Sequence, residues 1–449
     1  MPIRHYITDP THTLWEIPAG TVPTPLPGAA TLRVGEKPLP NPVNGFGAAV
    51  TASSCYNLSL MEPEERSALL DELYGPEGLK MNAARLTIAS SDYSPEIYTY
   101  ADAPDDLRMA HFSMSRDEKY VLPMQKEIVS RRDDLFLFAS PWSPPAWMKT
   151  GGRIAGGYMR DKYLDAYVLY FVRYLTAMRD RGIPIHAVSP QNEPDTDTRG
   201  HYPGCFWHPE TEAAFIHRLR AALKRGKLDT RIWMYDHNYD GWQRVKWMLE
   251  EDPALLGDID AVAFHYYGEC PEMTDALTSQ WPDLELAFTE GGPRIIDNYG
   301  TDHCKWGRIM VRAFNHGCRT FIGWNLILDE TGGPNIGPFF CGGLVTRDSR
   351  TGMISRSGQY RAMAHFSRFI RRGAAVLPVR IENDGPRFFA YPDIGEPLDA
   401  CAFRNPDASL TAVLVNPSPK DRKQVQIETE GRLFFVNLLP DSVSTVVIG

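Results

Sequence analysis

The sequence predicts a (β/α)8 barrel with a smaller β-sandwich-like side domain built from both chain ends. Three observations predict it. Short apolar runs alternate with longer amphipathic stretches eight times in the middle of the chain. Such alternation means parallel strands with crossover helices, and eight units can close on themselves. From about residue 375 the rhythm changes to short runs split by Asn-Asp-Gly, Pro-Asp and Asn-Pro signals, the mark of antiparallel structure. No glycine-rich phosphate loop follows an early strand, which weighs against an open nucleotide-binding sheet.

The first 40 residues hold one strand candidate, 31–34, several prolines and no helix pattern, and are expected to add strands to the side domain. The barrel strands are predicted at 45–50, 83–88, 135–139, 185–189, 231–235, 261–265, 285–289 and 320–324, where β-branched and aromatic residues are flanked by turn residues. Helices are predicted over 62–74, 116–132, 160–181, 209–225, 242–250, 303–316 and 358–371. The clearest is 160–181: Leu164, Val168, Phe171, Leu175 and Met178 form one apolar stripe, stopped by Gly182 and Pro184. The later strands are predicted at 376–381, 387–391, 410–415, 424–429, 433–438 and 442–448. The domains are therefore read as 1–40 (side-domain strands), 41–373 (barrel) and 374–449 (side domain).

Composition narrows the function. With 43% hydrophobic and 23% charged residues among 449, the chain is globular rather than disordered. A net charge of −9 leaves no basic footprint, so neither nucleic acid nor an anionic membrane is an expected partner. No uncharged apolar run reaches about 18 residues, so no membrane span is expected. The seven cysteines follow no metal or CxxC spacing, which suits free thiols in a reducing compartment. The opening residues lack the apolar core of a signal peptide, so the expected location is the cytoplasm, or outside the cell if a leader has been removed.

In a barrel of this kind the C-terminal strand ends share one mouth. Read together, they supply Arg85 and Asp92, the run Ser140 to Trp147, Gln191-Asn192-Glu193-Pro194, His265-Tyr266-Tyr267, Thr289-Glu290-Gly291-Gly292, Trp324-Asn325 and a loop with Asn335. Two glutamates on opposite strands amid Trp, Tyr, Asn and Arg suit glycoside hydrolysis. One carboxylic acid protonates the leaving oxygen, and one carboxylate attacks the anomeric carbon or activates water. Aromatic faces stack on sugar rings while Asn, Asp and Arg bind hydroxyls.

These stretches resemble glycoside hydrolase family 30, which includes lysosomal glucosylceramidase. The resemblance rests on 85–94 (Arg-Leu-Thr-Ile-Ala-Ser-Ser-Asp-Tyr-Ser), 140–150 (Ser-Pro-Trp-Ser-Pro-Pro-Ala-Trp-Met-Lys-Thr), 191–194, 288–290, 324–326 and 332–335, in order over about 250 residues. It implies a retaining two-step mechanism, with Glu193 as general acid/base and Glu290 as nucleophile. Arg85 and Tyr267 match positions that hold the nucleophile, and Asn192 the position that holds the 2-hydroxyl. Asp92, Trp142 and Trp324 match residues around the non-reducing sugar, and Asn335 a residue of the pocket rim. The activity implied is exo-acting hydrolysis of β-glucosides, the alternatives being endo-β-1,6-glucanase, β-xylosidase or β-fucosidase. No cofactor or metal is implied. The loops Gly-Gly-Pro-Arg after Glu290 and Ile-Gly-Pro-Phe-Phe after Asn335 depart from glucosylceramidase, which puts a lipid leaving group in question.

Blander readings stand beside these. Isolated Glu-Pro and Glu-Gly-Gly segments are ordinary turns. Trp147 is read as core, and only one of Tyr266 and Tyr267 is expected to face the mouth if both lie in a strand. His201, His208, His237 and His265 are read as polar core or surface, since no metal-ligand spacing joins them. Tyr202, Phe206 and Trp207 in the loop 195–207 are expected to border the leaving-group side. A non-catalytic sugar-binding barrel is disfavoured because both carboxylates are present, and a metal-dependent barrel hydrolase is the remaining rival.

Overall fold

The computed structural model describes residues 3–18, 29–384 and 397–449. Eight strands close a barrel: Gly45–Val50, Ala83–Ile88, Phe136–Pro141, Ala187–Val188, Arg231–Asn238, Ala261–His265, Leu286–Glu290 and Cys318–Gly323. Every pairing around it is parallel. The fourth strand is only two residues long, because Pro184 and Pro190 bracket it and donate nothing to a ladder. The lower interior is filled by Phe136, Phe138 and Trp233, stacked at 5.4 and 4.8 Å, against Ala83, Ala187, Ala261, Ala263 and Ala287. Large and small side chains alternate so that the layers fill the tapering space.

The predicted helices stand at Pro63–Tyr74, Leu164–Asp180, Pro209–Gly226, Trp242–Glu251, His303–Asn315 and Gly358–Ser367. The stretch 116–132 is not one helix but a 3-10 turn, Ser115–Lys119, followed by Val121–Val129. Pro123 is the cause: its ring clashes with a helical carbonyl four residues earlier, so the helix begins just before it. A helix the sequence reading lacked, Ala52–Ser59, is capped by Thr51, whose side chain accepts from the Ser54 amide. The loop after the last barrel strand carries a small three-stranded sheet.

The side domain is a two-sheet sandwich. One sheet runs Ala375–Leu377, Asp399–Arg404, Leu410–Asn416, Ser442–Ile448, Ile3–Thr8 and Trp15–Glu16. The other runs Val379–Glu382, Ala30–Val34, Lys423–Thr429 and Arg432–Leu438. Ile3–Thr8 and Asp399–Arg404 were absent from the sequence reading, and the predicted strand 387–391 lies outside the described residues. Helix His303–Asn315 joins the two domains. A Cβ at its Gly307 would meet Val443 at 2.9 Å and Val415 at 3.1 Å, so glycine lets helix and sheet approach. Arg308 seals the contact with a 2.7 Å bond to buried Asp399.

Candidate active site

At the C-terminal end of the barrel the apolar filling gives way to a charged network. Arg85, fully buried, sits at its centre. Its Nη1 donates to Glu290 Oε2 at 2.6 Å, and its Nη2 to Asp236 Oδ2 at 2.9 Å and Asn192 Oδ1 at 2.7 Å. Ser140 Oγ accepts from Nε at 3.0 Å. The guanidinium lies over the rings of Trp142, Phe138 and Trp324, 4.9–5.4 Å from their centroids, so its charge is stabilised on the apolar sides as well.

Two backbone irregularities aim the side chains. The fifth strand shifts register between Tyr235 and His237, and Tyr235 and Asp236 have φ of 76° and 58°. The seventh shifts between Phe288 and Glu290. Such bulges break the two-residue alternation and re-aim a side chain. Asp236 thereby reaches the barrel axis, where it also accepts from Ser189, Thr289 and His265 at 2.7–3.0 Å. Glu193 has φ of 50°, held by its N–H donating to the Asp236 carbonyl at 3.0 Å.

Glu193 and Glu290 face each other across His265: one ligating-type atom from each of the three lies within 4.8 Å of the others. Glu193 Oε1 is 3.1 Å from His265 Nδ1, and Oε2 accepts from Thr196 Oγ1 at 2.9 Å. Tyr267 Oη donates to Glu290 Oε1 at 3.0 Å. Both glutamates line a cavity of about 1140 Å³. Its lining includes the buried residues Asp92, Tyr93, Trp142 and Trp324. Trp142 and Trp324 stack at 5.3 Å, and Asp92 Oδ1 is buried with no hydrogen-bond partner. Phe340, Lys305 and Asp441 also line it.

The charges are coupled. Burial would raise Asp236, but the Arg85 charge and the His265 hydrogen bond hold it well below the usual carboxylate range. Burial would lower His265, but the charge of Glu290 and bonds to Asp236 and Glu193 push it up to about 9. Burial would likewise raise Glu193, yet His237 and His265 together pull it down to about 2. Burial lowers His237 itself, against the pull of the Glu193 charge. Burial raises Glu290 above its ordinary value against the pull of His265 and Arg85. Burial, then the charges of Glu290 and Glu193, raise Asp92 strongly.

The profile of the glycosyl hydrolase family 30 TIM-barrel domain matches residues 43–370, and that of the family 30 beta sandwich domain matches 388–446. The chain belongs to glycosyl hydrolase family 30. It is 28% identical over 404 residues to the lysosomal acid glucosylceramidase of Mus musculus, covering 84% of this chain and 76% of that one. It is 29% identical over 430 residues to the endo-1,6-beta-D-glucanase of Neurospora crassa, covering 90% and 85%. Among solved structures it superposes on the endo-beta1,6-glucanase BT3312 with a TM-score of 0.86 at 28% identity, covering 100% and 99%. It is therefore a glycoside hydrolase.

Within this family 30 site, Glu193, Glu290, Asp92, Trp142, Asn192, Tyr267 and Trp324 all line the cavity, while Arg85 stands behind it and touches Glu290 and Asn192. Asn335 is not among the lining residues: its Nδ2 donates to the Gly332 carbonyl at 3.0 Å and so braces its own loop. Tyr266 and Tyr267 both line the cavity, contrary to the expectation of one, because the strand ends at His265 and alternation no longer holds. Of the loop 195–207 only Tyr202 reaches the cavity; Phe206 stacks on Tyr158, and Trp207 is buried with Nε1 donating to Gln191. Trp147 donates to the Ala101 carbonyl outside the cavity. Asp236 went unnoticed in sequence and His265 was read as a polar core residue. The signal for both was faint: a His and an Asp at strand ends look like any buried polar residue until Arg85 is placed between them.

Among the described residues, two clusters bring ligand-type atoms together. In Glu193–His265–Glu290 both imidazole nitrogens and both Glu290 oxygens are already hydrogen-bonded within the protein. His303, Cys304 and Asp441 meet at the junction of barrel and sandwich, but His303 Nε2 lies 2.9 Å from the Asp441 carbonyl and the Cys304 thiol faces the Asn416 carbonyl. Among the described residues no helix is long and apolar enough to cross a membrane.

Proposed function

We propose that the protein hydrolyses β-glucosides by double displacement, with Glu290 as nucleophile and Glu193 as general acid/base. The observation that carries this is the approach of their oxygens to within 4.8 Å. So close an approach supports a retaining pair, whose carboxyl groups stand roughly 5–5.5 Å apart, over an inverting pair at about 6.5–9.5 Å. A Glu290 oxygen bonds to the anomeric carbon as the glycosidic C–O bond breaks, and the leaving oxygen takes a proton from Glu193. Water then attacks the ester, gives its proton to Glu193, and frees Glu290. Arg85 and Tyr267 hold Glu290 by 2.6 and 3.0 Å bonds, keeping it anionic and oriented. Because Arg85 occupies Asn192 Oδ1, Asn192 presents its N–H groups, suited to a 2-hydroxyl.

Asp92, with an unpartnered oxygen, and the stacked rings of Trp142 and Trp324 support the exo reading, as a buried wall suited to one terminal sugar. The cavity volume of about 1140 Å³ supports a second reading, endo-acting β-1,6-glucanase, since it exceeds what one sugar fills. Side-by-side assay of 4-nitrophenyl β-D-glucoside, xyloside, fucoside and galactoside with β-1,6-glucan separates the two. Exo action releases 4-nitrophenol from at least one; cleavage of polymer alone rejects it. Activity undiminished by EDTA is expected, and its loss would favour metal-dependent hydrolysis. Seven unpaired thiols support a reducing, cytoplasmic location.

A further inference from the structure

We propose that Glu193 and His265 share one proton across their 3.1 Å contact, and that His265, fixed by Asp236, is a positioning residue that keeps the acid/base supplied with that proton. The inference rests on the acid/base reading of Glu193 and adds the device that charges it.

The geometry is that of a relay. His265 is fully buried, while its partner Glu193 lines the cavity. Nε2 lies 3.0 Å from Asp236 Oδ1, an acceptor anchored by Arg85, Ser189 and Thr289, so the ring keeps its Nε2 proton and its orientation. Nδ1 is left facing a single partner, Glu193 Oε1. The charged and titratable groups facing the imidazole are Arg85 from the second strand, with Nη1 at 3.4 Å, Glu193 after the fourth, and Asp236 and His237 on the fifth. Tyr267 follows the sixth, and Glu290 lies on the seventh with Oε2 at 4.0 Å.

This arrangement resolves a conflict between role and charge. A general acid must be protonated when the leaving group departs, yet beside His237 and His265 Glu193 is held at about 2. Interacting groups titrate as a pair. The second member, His265, is pushed up to about 9, so the pair retains one proton throughout the neutral range. In the free site that proton rests on Nδ1, opposite an anionic Glu193. Transfer across the contact gives a neutral acid beside a neutral imidazole. Glu193 passes the proton to the departing oxygen, and the water of the second step returns one to Glu193, so no proton is gained or lost over the cycle.

The test is the pH dependence of kcat/KM for an aryl and an alkyl β-glucoside in wild type, His265→Gln and Glu193→Ala. The alkaline limb is expected to fall by about one pH unit or more in His265→Gln, with the alkyl glucoside losing at least about tenfold more than the aryl one at pH 8. A limb that stays in place with an unchanged leaving-group dependence overturns the inference. Imidazole ¹⁵N NMR of the wild type gives a second reading should that variant misfold: His265 is expected to carry protons on both nitrogens at pH 7. A ring titrating at 6.5 or below overturns the proposal. Azide added to Glu193→Ala reports on Glu193 alone, with a glycosyl azide of retained configuration expected. Failure of that rescue overturns the acid/base reading itself, whereas rescue with an unmoved limb overturns only the shared proton.

Discussion

The two ends of the barrel interior are built from the same strands and obey different rules. Toward the bottom, Phe138, Trp233, Ala263 and Ala287 fill space, and any set of similar volume would pack it with small loss. Toward the mouth, Arg85, Asp236, His265 and Glu290 satisfy one another atom by atom. Burial that is favourable below is a penalty above, offset only because each charge meets a partner at hydrogen-bond distance. The bottom therefore stores stability and the mouth stores function, and substitutions in each should fail in different ways.

The largest effect is expected from Glu290→Gln, which keeps the shape but removes the attacking oxygen: turnover of an aryl β-glucoside should drop about 10⁴-fold, or about 5.5 kcal/mol, while the melting temperature holds. An unaltered rate would remove Glu290 from the chemistry. Trp233→Ala should do the reverse. It should cost about 3–5 kcal/mol in denaturant unfolding while kcat/KM of the surviving folded enzyme keeps its pH profile. Asp236→Asn breaks the division, because it strips a counter-charge from both Arg85 and His265. A stability loss of about 3 kcal/mol together with a fall in activity is expected, and a loss in only one would show that the network is not a unit. Tyr267→Phe removes a single bond to Glu290 and should cost about 1.5–3 kcal/mol in kcat/KM with no change in folding.

The gentlest probe is Lys149. Its ammonium donates to Ser143, Ile154 and Gly204, binding together the loops that carry Trp142 and Tyr202, with no carboxylate among those partners. Burial lowers it from 10.5 to about 8. Between those values the unfolded chain binds a proton that the native state has released, so stability rises with pH. Unfolding of wild type and Lys149→Met, measured from pH 8 to 10.5, should show wild type gaining on the variant by roughly 1 kcal/mol per pH unit.

Much of the fold was legible because its signals are local. Apolar runs between polar and turn residues mark Gly45–Val50, Ala83–Ile88 and Ala261–His265, and the strands lie where those runs lie. Ile3–Thr8 was hidden because it is a strand only through pairing with Ser442–Ile448, more than 400 residues later. In the site, Glu193, Glu290, Asn192, Trp142 and Trp324 could be named because each stands in a motif near a predicted strand end that resembles glycoside hydrolase family 30. Asn335 fell in such a motif too, yet its amide is spent on its own loop. Tyr266 was misjudged by one residue of strand length.

By itself the sequence determined the number of strand–helix units, the change to antiparallel structure near residue 375, and the two carboxylates with their aromatic company, since these depend on periodicity and residue type. Only the tertiary structure decided that Asp236 leaves its strand's alternation through a bulge, that His265 bridges it to Glu193, and that Arg85 ties Glu290 to Asp236. The reason is physical: a bulge is selected by the surrounding barrel rather than by the residue that occupies it, and a charge's worth is set by which other charges folding brings within about 4 Å.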